Sequence, residues 1–280
     1  MNMRDASLVP DAHGLTDAGT AWSRYGTVGE RVVLIHGVGM NQSVWAPQVQ
    51  GLRSDMQVLV YDMLGHGQSR FAPQAQDIGA YAQQLADLMT TLQWDSAHIV
   101  GHSMGALIAL EMAIAHGARC KSVIALNGVY CRTPAQRASV QARAQELATH
   151  GKPDGVQDTI ARWFGNPVPP QDQAAAELAG RLLQDVPLEG YARAYAIFAR
   201  SDECHKGRLG RIQVPALIAT GEQDPNSSAA MADAMHAEIP GSRLQVLPGQ
   251  RHMMSLIAVD EVNGLIRQFV KQHSPASAAA

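Results

Sequence analysis

The chain has 280 residues, a formal net charge of −3 and a hydrophobic fraction of 46%. That is sequence enough for a sizeable buried core plus an insertion, with the composition of an ordinary globular protein. It carries no basic stripe or acidic run, so neither nucleic acid nor an anionic membrane surface is an expected partner. Its three cysteines, Cys120, Cys131 and Cys204, lack C-x-x-C spacing and point to reduced thiols in a cytoplasmic protein. No apolar h-region follows Met1-Asn2-Met3-Arg4-Asp5, and no apolar run approaches the ~18 residues of a membrane span, so neither a leader nor a transmembrane helix is expected.

In chain order, short aliphatic runs alternate with longer helical patterns. Arg31-Val32-Val33-Leu34-Ile35 reads as a buried strand ending at His36-Gly37, and Gln57-Val58-Leu59-Val60-Tyr61 as the next, ending at Asp62. Ile78, Tyr81, Leu85, Leu88, Met89 and Leu92 keep a helical period ahead of a strand at Ala97-His98-Ile99-Val100. A helix-like run from Ala106 to Ala113 precedes the strand Ser122–Leu126. Late strands are read at Ala216–Ala219 and Leu244–Leu247, with a helix around Ser228–Ile239 between them. Val259, Val262, Ile266, Phe269 and Val270 form the apolar face of a last helix. Such alternation predicts an α/β fold, a mostly parallel central sheet flanked by helices.

From about Cys131 to Gly210 the rhythm breaks. The stretch is rich in Ala, Gln, Arg and Pro, and Asn166-Pro167-Val168-Pro169-Pro170 can be neither mid-helix nor mid-strand. It reads as a helical cap over the C-terminal edge of the sheet, where open α/β sheets bind ligands. The expected division is a core of 1–130 and 211–273, a cap of 131–210 and a frayed tail of 274–280.

Gly101-His102-Ser103-Met104-Gly105 has the form G-x-S-x-G between a strand and a helix. A serine on that turn is held in a strained backbone with its hydroxyl projecting, and the amide after it lies at a helix N-terminus. A hydroxyl needs an imidazole base, and the imidazole needs a carboxylate to set its tautomer. Asp224 and His252 follow two later strands, in the order Ser, Asp, His, so the expected triad is Ser103, Asp224 and His252, with Glu222 as reserve acid. The Met104 N–H and the Val38 N–H, in His36-Gly37-Val38-Gly39, are the expected oxyanion donors. His36 is a candidate for substrate contact or for holding that loop. His102 is expected to point away from the site, and His66 to sit in a glycine-rich loop beside it. No histidine pair has ligand spacing, so neither a metal nor a cofactor is expected.

These segments, with Asp62-Met63-Leu64-Gly65-His66-Gly67-Gln68-Ser69, resemble the α/β-hydrolase fold superfamily from about Arg31 to Gln272. Within it the chain is similar to the carboxylesterase and 3-oxoadipate enol-lactonase branch. The similarity rests on Trp45, Arg162-Trp163-Phe164, and Gly190-Tyr191 through Asp202 ahead of Ile212-Gln213-Val214-Pro215. It departs from the branch at Ala106, where a second glycine is usual, and at Arg251, where a small residue is usual. Ser103 sets it apart from the branches with a nucleophilic aspartate, and Met40, where C–C bond hydrolases often carry a further glycine, weighs mildly against that branch. The resemblance implies a serine hydrolase acting through an acyl-enzyme on a small carboxylic ester or enol-lactone, with an amide as a further option.

Trp163, Phe164, Tyr191, Tyr195 and Phe198 are expected as an apolar ceiling over Ser103, and Arg251, Arg162 or Arg193 as reader of a substrate carboxylate. Three other activities fit the same sequence: C–C bond hydrolysis, a cofactor-free lyase or dioxygenase using only the His–Asp pair, and a ligand sensor with slow hydrolysis. Monomer and homodimer are both open.

Overall fold

The computed structural model describes residues 8–150 and 155–274. In chain order the strands are β1 (Ala12–Leu15), β2 (Ala21–Tyr25), β3 (Glu30–Ile35), β4 (Met56–Tyr61), β5 (Ala97–His102), β6 (Cys120–Leu126), β7 (Ala216–Gly221) and β8 (Arg243–Leu247). The helices are α1 (Ala46–Leu52), α2 (Ile78–Thr91), α3 (Met104–Ala115), α4 (Pro134–His150), α5 (Val156–Phe164), α6 (Gln173–Asp185), α7 (Leu188–Ala199), α8 (Ala229–Glu238), α9 (Met254–Ile257) and α10 (Val259–Gln272). The strands form one sheet in the order β1-β2-β4-β3-β5-β6-β7-β8. Pairing is parallel from β4 to β8 and antiparallel only at β1–β2 and β2–β4.

The buried β-branched and aliphatic residues of β3, β5 and β6 explain the central strands. Val32 to Ile35, Ile99 to Val100 and Val123 to Leu126 are fully enclosed, as they must be where helices cover both faces. Helix α3 crosses this core with almost every residue from Met104 to Ile114 buried. The antiparallel strands β1 and β2 lie outside the alternation read from the sequence. In β1 the side chains alternate between half-buried and exposed, so it carries no buried apolar run to mark it.

Strand order reverses at β3, which pairs with β4 on one side and β5 on the other. A crevice opens at the C-terminal ends of strands where the order reverses, so the loops after β3 and β5 face each other there. Those loops carry Val38 and Ser103.

Between β6 and β7 the described residues hold four α-helices, α4 to α7, and no strand. Helix α4 packs on α7, and α5 on α6. The tail expected to fray at 274–280 lies, apart from Ser274, outside the described residues, as does the start of the chain. Among the described residues no helix is long and apolar enough to cross a membrane.

Candidate active site

Ser103 lies between β5 and α3 with φ 56° and ψ −116°. A non-glycine residue there costs about 1–3 kcal/mol and persists only where its surroundings impose it. They do: a Cβ on Gly101 would meet the Gly105 carbonyl oxygen at 1.9 Å, and one on Gly105 would meet that of Ile35 at 2.3 Å. Only glycines let α3 start so close to β5 and β3, and the sharp turn follows.

Asp224 follows β7 and His252 follows β8. The His252 Nδ1–H donates to Asp224 Oδ2 at 2.8 Å, with both residues buried. That carboxylate is saturated with donors. Oδ2 also accepts from Asn127 Nδ2 at 2.8 Å, and Oδ1 accepts from the Asn226 and Ser227 N–H groups at 2.8 and 3.1 Å. Burial opposes ionisation of Asp224, but His252 and these donors outweigh it and hold its pKa below the usual carboxylate value. Glu222 instead accepts from the Gly249 N–H at 2.8 Å, on the exposed side of the loop.

Ser103 and His252 line one cavity of about 400 Å³, together with Val38 and residues of α4, α5 and α7. No hydrogen bond joins the Ser103 hydroxyl to His252 among those of the described residues. Val38 and Met104 are buried residues, and neither backbone N–H donates a hydrogen bond within the described residues. Buried N–H groups are nearly always paired, so two unpaired donors lying beside a serine stand out.

The turn bearing Val38 is held by two buried histidines. His36 donates from Nδ1 to the Gly37 carbonyl at 2.8 Å and accepts at Nε2 from the Met63 N–H at 3.0 Å. His66 accepts at Nε2 from the Gly39 N–H at 3.1 Å. His36 is therefore a clamp on the loop and not a substrate contact: both ring nitrogens are engaged and it does not line the cavity. His102, expected to point away, lies beneath the site. Its Nε2–H donates to the His252 carbonyl at 2.8 Å, and its ring is 5.0 Å from that of His252.

Burial lowers all three rings, His36 to about 4 and His66 and His102 to about 3, helped by His36 beside His66 and by His252 beside His102. An unfolded chain binds protons at these positions from its ordinary value of 6.5 downward, and the folded chain does not. Stability is therefore full above that value and falls as pH drops toward about 4. The expected loss at pH 5 is about 2 kcal/mol per ring. Urea unfolding at pH 7 and pH 5 checks this, and an unchanged midpoint would contradict it.

Of the expected ceiling, Trp163, Tyr191, Tyr195 and Phe198 line the cavity, and Trp163 sits over His252 with ring centroids 5.6 Å apart. Phe164 does not line it and is enclosed in the helical layer. Arg162 reaches the cavity. Arg251 lies against Gly165 instead, and Arg193 donates to the Pro73 carbonyl. The sequence reading missed Asn127, Arg132 and Arg143. Asn127 carried a usable signal, since it ends β6 and so comes to the same sheet edge as Asp224. Arg132 and Arg143 carried none, because nothing local tells which face of a polar helix meets a cavity. A second cavity of about 650 Å³ near the β1–β2 turn is lined by no Ser, His or Cys.

The model of the alpha/beta hydrolase fold family matches residues 30–258, and the chain belongs to that family. It is a hydrolase enzyme. It is similar to (E)-2-((N-methylformamido)methylene)succinate hydrolase of Acinetobacter baylyi, 34% identical over 87% of this chain and 91% of that protein. It is also similar to 3-oxoadipate enol-lactonase 1 of the same organism, 29% identical over 86% of this chain and 88% of that protein. Among solved structures, the enol-lactonase from Burkholderia xenovorans superposes with a TM-score of 0.84, covering 93% of this chain and 100% of that one; at 24% identity this is a likeness of fold.

Proposed function

We propose that the protein is a cytoplasmic serine hydrolase that cleaves a small carboxylic ester or enol-lactone through an acyl-enzyme on Ser103. The reading is carried by the buried 2.8 Å bond from His252 to Asp224, on an imidazole that shares its cavity with the strained serine. In the neutral ring, an Nδ1–H committed to Asp224 leaves the His252 Nε2 lone pair free to take the Ser103 proton. The hydroxyl oxygen then attacks the carbonyl carbon, and the Val38 and Met104 N–H groups receive the oxyanion. His252 passes the proton to the leaving oxygen. Water, deprotonated by the same nitrogen, then releases the acid from Ser103. Helices α4 to α7 act as the cap that closes the site against solvent.

The enol-lactonase relative supports the ester or lactone bond. The relative named for an N-methylformamido substrate favours amide cleavage as the second reading, since the same machinery opens both. Labelling with a fluorophosphonate, followed by peptide mass analysis, tests the nucleophile. The adduct is expected on the peptide bearing Ser103. No adduct, together with 4-nitrophenyl ester, lactone and anilide all inert, would overturn the reading.

Asn127 supports the acid of the proposed triad. Its own φ of 52° is one that glycine accepts readily, so Asn127→Gly removes the amide without straining the turn. The expected result is a fall in kcat of about tenfold, as one hydrogen bond to a buried carboxylate is lost. Wild-type kcat in that variant would contradict the assignment.

A further inference from the structure

Three arginines line the end of the cavity formed by the cap helices: Arg132 just before α4, Arg143 on α4 and Arg162 on α5. Glu146 is the one acidic side chain that lines it with them. Each guanidinium is held by the protein. Arg132 is 6% exposed, rests on the Phe198 ring at 4.6 Å and bonds Asp202 Oδ1 at 3.4 Å. Arg143 donates from Nε to the Tyr195 hydroxyl at 3.0 Å and from Nη1 to Ser139 at 2.9 Å. Arg162 donates from Nη2 to Thr159 at 2.9 Å.

Their donors are not all used. Arg132 Nη2 and Arg162 Nε are buried and have no hydrogen-bond partner. A buried guanidinium N–H left unpaired costs as much as a lost charged hydrogen bond, and it cannot shed its proton to escape. Arg143 is also close enough to repel each of the other two. Burial first, and then the charge of Arg143, disfavours the protonated form of Arg162; on Arg132 burial acts in the same sense, Asp202 opposes it, and Arg143 adds a smaller repulsion. Arg143 thus repels both of its neighbours on the cavity wall, and an anion held among the three relieves that repulsion. Planar forks of this kind match a carboxylate.

We propose that this end of the cavity is a carboxylate subsite, and that the substrate is an acid whose ionised carboxylate sits among Arg132, Arg143 and Arg162 while its ester or lactone carbonyl lies at Ser103. The proposal rests on the serine hydrolase reading for its second half only. Arg132 sets the depth of the site because Asp202 fixes it from behind, accepting also from the Arg132 N–H at 2.8 Å. Arg143 and Arg162, on separate helices, grip from the sides, so the subsite forms only when α4 and α5 are packed over the sheet.

Two probes of equal acyl length isolate the charge: the mono-4-nitrophenyl ester of adipic acid and 4-nitrophenyl hexanoate. Wild-type kcat/KM is expected to favour the adipate ester by about tenfold or more. That preference should fall by about tenfold in Arg143→Gln and in Arg162→Gln, with the lysine variants keeping part of it. A wild-type preference near one, or a preference untouched in both glutamine variants, would overturn the subsite. Calorimetric titration of the Ser103→Ala protein with adipate keeps the two readings apart, since it needs no turnover. Binding that is weakened in the added glutamine variants supports the subsite even if neither ester is hydrolysed. No binding of adipate overturns it even if Ser103 proves to be the nucleophile.

Discussion

Replacing Ser103 with alanine is expected to lower kcat for ester hydrolysis by about 10⁴-fold or more, with substrate binding nearly unchanged. The change removes one oxygen and leaves His252, Asp224 and the Val38 and Met104 amides where they are. What remains is stabilisation of a transition state that no longer has its nucleophile. The turn itself should gain little from the substitution, since alanine meets the same positive φ as serine. This variant also separates the proposed chemistry from a proton-abstraction mechanism run by the His–Asp pair. In that mechanism Ser103→Ala would keep much of its activity and His252→Ala would not. Steady-state rates of both variants on one ester decide between them, and a Ser103→Ala rate within tenfold of wild type would sink the acyl-enzyme.

The second large effect is expected at Asp224. In Asp224→Asn the new amide has one oxygen where the carboxylate had two. Two backbone N–H groups, from Asn226 and Ser227, face the Oδ1 position and cannot turn away. Asn127, facing the Oδ2 position, can turn, because its own Oδ1 has no partner. The amide oxygen therefore settles at the Oδ1 position, and its NH₂ faces His252 Nδ1. A donor there makes Nδ1 the acceptor and puts the ring proton on Nε2, the atom that must take the proton of Ser103. The expected loss in kcat is about 10⁴-fold, with the fold intact. A loss under tenfold in a protein that melts with the wild type would show that Asp224 does not set the tautomer.

Several parts of this site were legible because they are properties of the local chain. The strands β3, β5, β6, β7 and β8 announced themselves as short aliphatic runs, and in a parallel sheet all such strands end on one edge. Val38, Ser103, Asp224 and His252 each follow such an end, which is why residues so far apart in sequence could be grouped. The two glycines around Ser103 were equally readable, since only a close approach of helix to strand calls for both. The hairpin of β1 and β2 was not readable, because strands of four or five residues without a run of buried apolar side chains leave no mark in the sequence.

His36, His66 and His102 show the limit most clearly. Each sits next to a motif residue, and the sequence offers no way to tell a substrate contact from a backbone clamp. Their partners, Met63, Gly39 and His252, come from other loops, and only the packed structure brings them within hydrogen-bond reach. Arg251 and Phe164 erred in the same way: adjacency to a functional residue in the chain does not place a side chain in the cavity.

By itself the sequence determined the α/β class, the family and the strand ends that bear Ser103, Asp224 and His252, because backbone geometry and apolar periodicity act over a few neighbours. Tertiary structure alone decided which arginines look into the cavity and which histidines hold its walls. Those outcomes depend on how α4, α5 and α7 pack over the sheet, and that packing is set by long-range contacts such as Arg132 with Asp202, which no local pattern encodes.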